Sequence, residues 1–319
     1  MKTDLYVLSR VQARLKAVFR DDPTLEPFSN HEYFWSGGQM RSKLCVNLGR
    51  LFGLSYETIV NIALFTELLH NASLIHDDII DEDGQRRGVP SIWKEAGIPK
   101  ALLIGDLLIA KSFEVASNAN EKNEVRLSWV KNISMATNAA VNGAIIELDY
   151  DTGDSNFYRY LKMAELKTGS LFSLPINCIC DAAQFNPLKK QKISGAFSKF
   201  AIAYQIKDDE ADFLGYKKGR KKSSDFLNDR PNIFYLTENS INETSKNYSE
   251  IYDVHAGLVF KARSELVEVN PRISQFLDNI ILPFVAMSKD LKTNSKPSRA
   301  NKITTTFANN ESQYKFAKP

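Results

Sequence analysis

At 319 residues and 43% hydrophobic side chains, the chain has room for one large or two ordinary domains and can bury a substantial core. A formal net charge of +3 is too small to argue for a nucleic-acid partner. No run approaches the ~18 apolar residues of a membrane-spanning helix, so none is expected.

The first residues, Met1–Phe19, are amphipathic, carry an early Asp4 and lack the uninterrupted apolar core of a signal peptide. Apolar residues at steps of three and four predict helices at 4–20, 38–53, 55–83, 99–119, 122–151, 155–183, 187–214, 226–238, 247–268 and 271–289. No strand-type alternation stands out, and no internal repeat does either. Connections such as Asp21–Asn30 and Gly84–Pro90 carry Pro, Gly, Asp and Asn. Residues 293–319 are polar and aperiodic and read as a mobile tail, which leaves residues 1–292 as one domain. Cys45, Cys178 and Cys180 have no metal-ligand spacing; buried free thiols and a reducing cytoplasm are expected.

The stretch His70–Ser91 carries the chemistry. Asp77, Asp78 and Asp81 form a DDxxD cluster at the end of a long helical pattern. Positions four apart share a helix face, so Asp77 and Asp81 point together, with Asp78 at the edge. Three carboxylates this close repel unless a cation joins them. Hard oxygen ligands suit Mg²⁺, which takes one or two carboxylates together with water and phosphate oxygens. Arg86 and Arg87 follow, and guanidinium groups pair bidentately with phosphate. Alone, such a cluster is equally a solvated helix end. A second one, Asp208, Asp209 and Asp212, ends the stripe Ile193, Phe197, Ala201, Tyr204, Asp208 and Asp212. Two clusters facing each other across a cavity can hold several Mg²⁺ around one diphosphate. On the first helix, Ile59, Ile62, Thr66, His70, Ser73, Asp77 and Asp81 climb one stripe, which sets Ser73 and Ala72 below the aspartates.

Gly37-Gly38 ahead of Arg41, the run Asp77–Ser91, Gly105-Asp106, Lys167-Thr168-Gly169, the run Gln205–Asp212, and Ser224-Asp225 ahead of Arg230 occur in this order. Together they resemble the trans-isoprenyl diphosphate synthases, the polyprenyl synthetase family. The resemblance covers Ser36 to Leu236 and extends more weakly to Lys289. It implies an all-α, single-domain bundle of ten or more helices around a central cavity, acting as a cytoplasmic homodimer. The implied activity is Mg-dependent head-to-tail condensation of isopentenyl diphosphate with an allylic diphosphate, with about three Mg²⁺ per site.

By resemblance, Asp77, Asp81 and Asp208 are metal ligands, Asp212 is a further one, and Asp78 and Asp209 assist. Arg86, Lys167, Lys221 and Arg230 hold the allylic diphosphate, with Thr168 and Gln205 beside the leaving group. Gln39, Arg41, His70 and Arg87 line the isopentenyl diphosphate site. A helix histidine taken alone is more often a core residue. Residues four and five before the first aspartate set channel depth in the family. Here they are the small Ser73 and Ala72, so a product of about twenty carbons or more is expected, each helical turn matching about one five-carbon unit. The basic run Lys217–Lys222 reads as a solvated loop, with a lid over the diphosphates as the alternative.

The chain departs from the family pattern in three places. Its usual GGKRxRP is one residue shorter, Gly37–Lys43, with Gln39 in place of a lysine. Its usual GQ is Gly143-Ala144, with an acidic Glu147 retained. The late lysine is Arg230, and Asn232 stands where a threonine is usual. These changes leave two rival readings. One is a class I terpene synthase or a prenyltransferase with another acceptor, which the second DDxxD disfavours. The other is a non-catalytic subunit of a heteromeric synthase, which the retention of both clusters disfavours.

Overall fold

The structure is a computed structural model describing residues 2–150, 157–216, 225, 228, 230–240 and 248–288. Its helices are α1 (Lys2–Arg20), α2 (Glu32–Trp35), α3 (Met40–Leu51), α4 (Tyr56–Ile80), α5 (Ile92–Ala96), α6 (Ile98–Ser117), α7 (Asn123–Leu148), α8 (Phe157–Ala164), α9 (Ser170–Ala182), α10 (Pro187–Leu214), α11 (Ile233–Ser240) and α12 (Ser249–Val269). Helix α4 is central and packs on α1, α3, α6 and α9, while α10 packs on α9 and α12.

The all-α expectation holds, and α4 explains the architecture. One of its faces, Leu64, Leu68, Ala72 and Ile75, joins a core cluster shared with α1 and α6. The opposite face, Ile59, Ile62, Phe65 and Leu69, joins the main cluster shared with α3, α7, α9 and α10. A helix apolar all round must be buried all round. Among the described residues α4 is the one helix long and apolar enough to cross a bilayer by composition, yet 83% of that window is buried inside the bundle.

The two aspartate helices start and stop on local signals. Ser55 caps α4 by accepting from the Thr58 N–H at 3.1 Å, and Asn186 caps α10 by accepting from the Lys189 N–H at 2.9 Å, with Pro187 in the first turn. Gly215, at φ +80°, closes α10 in a left-handed C-terminal turn.

Three features were not legible in the periodicity. The predicted helix 155–183 is interrupted by a π-helical turn, Glu165–Gly169, between α8 and α9. The predicted helix 271–289 is a run of short 3₁₀, α and π turns from Pro271 to Val285, broken by Pro271 and Pro283. Where a loop was expected after α4, Gln85–Arg86 (β1) and Val89–Pro90 (β2) form a two-residue-strand hairpin. Arg87 and Gly88 are its central residues at φ +56° and +86°, the signs of a type I′ turn. Arg87-Gly88 was the available sequence signal. The predicted tail and Lys221 lie outside the described residues, as does the loop at 217–222.

His255 on α12 is 9% exposed and its Nε2 meets the Val285 carbonyl at 2.9 Å. Burial depresses its pKa, so the folded protein keeps it neutral while the unfolded chain takes up a proton below about pH 6.5. This contribution to stability is therefore lost as pH falls. Parent and His255→Gln should differ most above pH 7. The gap should close by up to about 1.4 kcal/mol per pH unit below about pH 6.5, read from denaturant midpoints at pH 8 and 5.5. An unchanged gap would contradict the assignment.

Candidate active site

A cavity of about 490 Å³ lies between the C-terminal ends of α4 and α10. Its walls also include the loop before α3, the hairpin, the end of α7, the π turn with the adjoining turns of α8 and α9, Arg230 and Pro231, and the segment after α12.

The first cluster divides its labour. Asp77 and Asp81 line the cavity, while Asp78 turns away and is 1% exposed. A step of 100° per residue on α4 accounts for the difference. Asp78 accepts from the Tyr33 hydroxyl at 2.6 Å and from Arg86 Nε at 2.7 Å, with Arg86 Nη2 at 2.5 Å. Asp78 therefore meets the cavity only through Arg86. Burial opposes the Arg86 charge, but Asp78 outweighs it and raises the guanidinium pKa. Asp81 has a carboxyl pushed up to about 7 by burial, restrained by Arg230 and Lys167. Arg230 Nη2 sits 3.1 Å from its carboxylate.

The second cluster repeats the pattern in part. Asp208 and Asp209 both line the cavity. Asp209, 2% exposed, accepts from the Tyr160 hydroxyl at 2.7 Å, from Gln205 Nε2 at 2.9 Å and from the Ile233 N–H at 3.0 Å. Gln205 in turn accepts from the Thr168 hydroxyl at 2.8 Å. Asp212, expected as a further metal ligand, is placed apart from the other aspartates. It is fully buried, does not line the cavity, and accepts from the Asp225 N–H at 3.1 Å.

Lys167 joins the two sides. It bonds Glu147 and lies 3.6 Å from Asp77. Burial disfavours its charge, yet Asp77, Glu147 and Asp81 together raise its pKa. Glu147 is thus a site residue that the sequence reading did not rank; its spacing from Gly143 was the signal. Tyr33 and Tyr160 had no sequence signal, because each meets its aspartate across 45 or more positions of chain.

A separate cationic group lies beside the loop before α3. Gln39 lines the cavity from a left-handed backbone at φ +51°. Arg41 Nε and His70 Nδ1 are buried on cavity-lining residues and have no hydrogen-bond partner among the described residues. Burial depresses the pKa of both, and Arg41 and Arg87 hold His70 neutral. Glu67 accepts from the Ser42 N–H and hydroxyl at 3.1 and 2.6 Å, and partly offsets the Arg41 charge. Buried donors without partners fit an anionic ligand. Ser73 lines the cavity, but Ala72 does not. Ala72 is fully buried in the cluster against α6, because it lies on the opposite face of α4 from the stripe carrying Ser73 and Asp77.

Among the described residues no three carboxylate, imidazole or thiol groups converge into a metal site by themselves. Asp77, Asp81 and Asp208 are nevertheless a hard-oxygen set facing one cavity. They fit an ion whose remaining ligands come from water and a diphosphate, the habit of Mg²⁺.

A helical bundle holding two aspartate sets at facing helix ends belongs to the isoprenoid-synthase class of folds. The geranylgeranyl pyrophosphate synthetase structure from Pyrococcus horikoshii Ot3 superposes with a TM-score of 0.76 at 21% identity, covering 88% of this chain and 98% of that one. The family model for Polyprenyl synthetase matches residues 23–265, and the chain belongs to that family. It is 29% identical over 238 residues to a short chain isoprenyl diphosphate synthase of Methanocaldococcus jannaschii, covering 74% of this chain and 72% of that protein. It is likewise 29% identical over 238 residues to a geranylgeranyl diphosphate synthase of Saccharolobus solfataricus, covering 72% and 71%. The chain is therefore a prenyltransferase of the isoprenyl diphosphate synthase kind.

Gly143 fixes the approach of α7 to the π turn. A Cβ there would lie 2.4 Å from the Lys167 backbone nitrogen and 2.9 Å from its Cα. Backbone has little room to yield, so Gly143→Ala should displace Lys167 and Thr168. Expected are a loss of about 1–3 kcal/mol in unfolding free energy, as for other overpacked sites, and at least a tenfold fall in turnover. Denaturant melts and initial rates check both. A normal rate in a folded variant would show that Lys167 need not sit where it does.

Proposed function

We propose that this enzyme condenses isopentenyl diphosphate with allylic diphosphates to give trans-polyprenyl diphosphates of about twenty carbons or more. The observation that carries this reading is one cavity lined by two groups of charged side chains of different make-up, each suited to a diphosphate. One is built from Asp77, Asp81 and Asp208 with Lys167, Arg86 and Arg230; the other from Arg41, His70 and Arg87. The named relatives support the same chemistry.

In the first region, Asp77, Asp81 and Asp208 would hold Mg²⁺. Bound there, the metal would neutralise the allylic diphosphate and make it a better leaving group. Lys167, Arg86 and Arg230 bind the diphosphate oxygens, and Thr168 and Gln205 sit beside the departing group. Arg41, His70 and Arg87 hold the acceptor by its own diphosphate, so its double bond faces the ionising carbon. Bond formation there places a cation on the acceptor. Loss of a proton, taken by the released diphosphate, restores the double bond. Met40, Leu74, Met163 and Leu171 keep an apolar wall around the reacting carbons and exclude water.

Two further properties belong to this reading. Leu102 and Leu103 of α6 and Met135, Val141, Ile145 and Leu148 of α7 are exposed, and such a face suits a second copy of the chain in a homodimer. Three buried free cysteines suit a reducing compartment such as the cytoplasm.

The deciding experiment incubates pure enzyme with Mg²⁺, isopentenyl diphosphate and each allylic diphosphate, then sizes the dephosphorylated products. Elongated chains support the reading. Cyclic hydrocarbon would mark a terpene synthase, and no turnover a non-catalytic subunit. Asp208→Ala should lower turnover by about a thousandfold or more, an effect of the size seen when a central electrostatic contributor is removed. Near-normal turnover at low Mg²⁺ in that variant would end the two-cluster assignment.

Ser73 lies one turn below Asp77 on the cavity face, and a turn rises about 5.4 Å, roughly one extended five-carbon unit. Ser73→Phe should therefore shorten the main product by at least one unit, whereas Ala72→Phe should chiefly destabilise the core. Product chromatography and thermal melts of the two variants distinguish these outcomes. Equal product shifts from both would mean that the two α4 faces are misassigned.

A further inference from the structure

The segment after α12 lies beyond residue 265, where the family match ends, yet it forms part of the cavity. Phe284 stacks on Tyr204 of α10, with ring centroids 4.3 Å apart and planes 4° apart. Phe172 also lies near-parallel to Phe284, with centroids 6.2 Å apart and planes 11° apart. All three rings line the cavity.

This segment is tied down at three points. Lys207 Nζ donates to the Phe284 carbonyl at 2.5 Å. His255 Nε2 meets the Val285 carbonyl at 2.9 Å. The Ser288 N–H and hydroxyl donate to Glu210 at 2.7 and 2.9 Å, and Glu210, 2% exposed, also accepts from the Tyr252 hydroxyl at 2.5 Å. A buried carboxylate is retained when donors satisfy it, and here two of them come from the segment itself. Lys207 and Glu210 flank Asp208 and Asp209, so the ties land beside the second aspartate cluster. Neither Lys207 nor Glu210 has a part in holding diphosphate as described above.

The stack has a definite place in the site. Tyr204 precedes Asp208 by four residues and shares its helix face one turn away, about 5.4 Å. It is also within electrostatic reach of Arg41 and Arg87, the cations of the second region. An acceptor anchored there by its diphosphate would extend its five-carbon unit along the ring pair toward the leaving group.

We propose that Phe284 is a specificity-determining residue for the acceptor: stacked on Tyr204 and fixed by the Lys207, Glu210 and His255 ties, it forms the apolar wall against which the five-carbon unit of isopentenyl diphosphate is oriented. This rests on the isopentenyl diphosphate reading above. The wall acts more on the acceptor than on the allylic substrate, because Tyr204 reaches Arg41 and Arg87, whereas Asp77, Lys167 and Arg230 of the allylic region stand on other elements of the cavity wall. Gln39, in place of the family's lysine, leaves the acceptor with less charge to hold it, so apolar contact carries more of its binding.

The test measures the Michaelis constant for each substrate, and kcat, in the parent, Phe284→Ala, Phe284→Leu and Phe284→Tyr. Expected is a rise of about tenfold or more in the constant for isopentenyl diphosphate in Phe284→Ala, with the allylic constant within about twofold, since aromatic stacking and apolar area are lost mainly on the acceptor side. Phe284→Tyr should restore the parent values. If Phe284→Ala does not fold, Phe284→Leu keeps the bulk, loses the ring, and should show the same split. Turnover by the parent with both constants moving equally, or neither moving, overturns this proposal and leaves the proposed function standing. A parent that extends no allylic diphosphate with isopentenyl diphosphate overturns both.

Discussion

Asp77, Asp81 and Asp208 line one cavity from the carboxyl ends of two helices, where the backbone already presents partial negative charge. Two like charges about 4 Å apart in partly screened surroundings repel by about 4 kcal/mol, several times the helix-end effect. Mutual repulsion is therefore the larger problem, and the arrangement of cations answers it. Lys167 reaches toward Asp77 and Glu147, and Arg230 pairs with Asp81. Burial, joined by lesser repulsion from Asp77 and Glu147, still pushes the Asp81 carboxyl up to about 7. A site built this way favours any further positive charge, and that preference is the physical basis of its affinity for a metal-bound diphosphate.

The second aspartate of each cluster does a different job. Asp78 and Asp209 are both buried, and each takes a tyrosine hydroxyl from another helix, Tyr33 or Tyr160. Each then passes its order to a cavity residue: Asp78 to Arg86, Asp209 to Gln205 and so to Thr168. A guanidinium held by two bonds to a buried carboxylate loses little further freedom when it meets its ligand. The hairpin completes the arrangement, since its I′ turn at Arg87-Gly88 sets Arg86 back against Asp78 and sends Arg87 toward α2, where it donates to the Tyr33 carbonyl at 3.3 Å.

Placement of the catalytic groups depends on a few close backbone approaches as much as on charge. Gly143 lets α7 touch the π turn that carries Lys167 and Thr168. The π turn adds a residue to the helical ladder, and such turns recur at functional sites because they re-aim side chains locally. Across the cavity the segment after α12 is stitched to α10 through Lys207 and Glu210. Rigid helices thus carry the carboxylates, Arg41 and Tyr204, while the π turn, the hairpin and the segment after α12 supply Lys167, Arg86 and Phe284.

The sequence by itself determined the helical class, the span of α4 and α10, and the pairing of Asp77 with Asp81, because these follow from local periodicity and from side-chain chemistry within one or two turns. It also located Lys167, Arg86 and Arg230 through motif order. Which face of α4 each small residue occupies was open to the same arithmetic, and the 100° step that separates Ala72 from Ser73 shows that adjacent positions do not share a role. Only the tertiary structure decided the rest. Tyr33 meets Asp78, Tyr160 meets Asp209, and Phe284 meets Tyr204 across long stretches of chain, and no local pattern encodes such contacts. The withdrawal of Asp212 into the interior has the same origin: its helix position matches that of Asp81, but different neighbours surround it, and burial is a property of the packed neighbours rather than of the spacing.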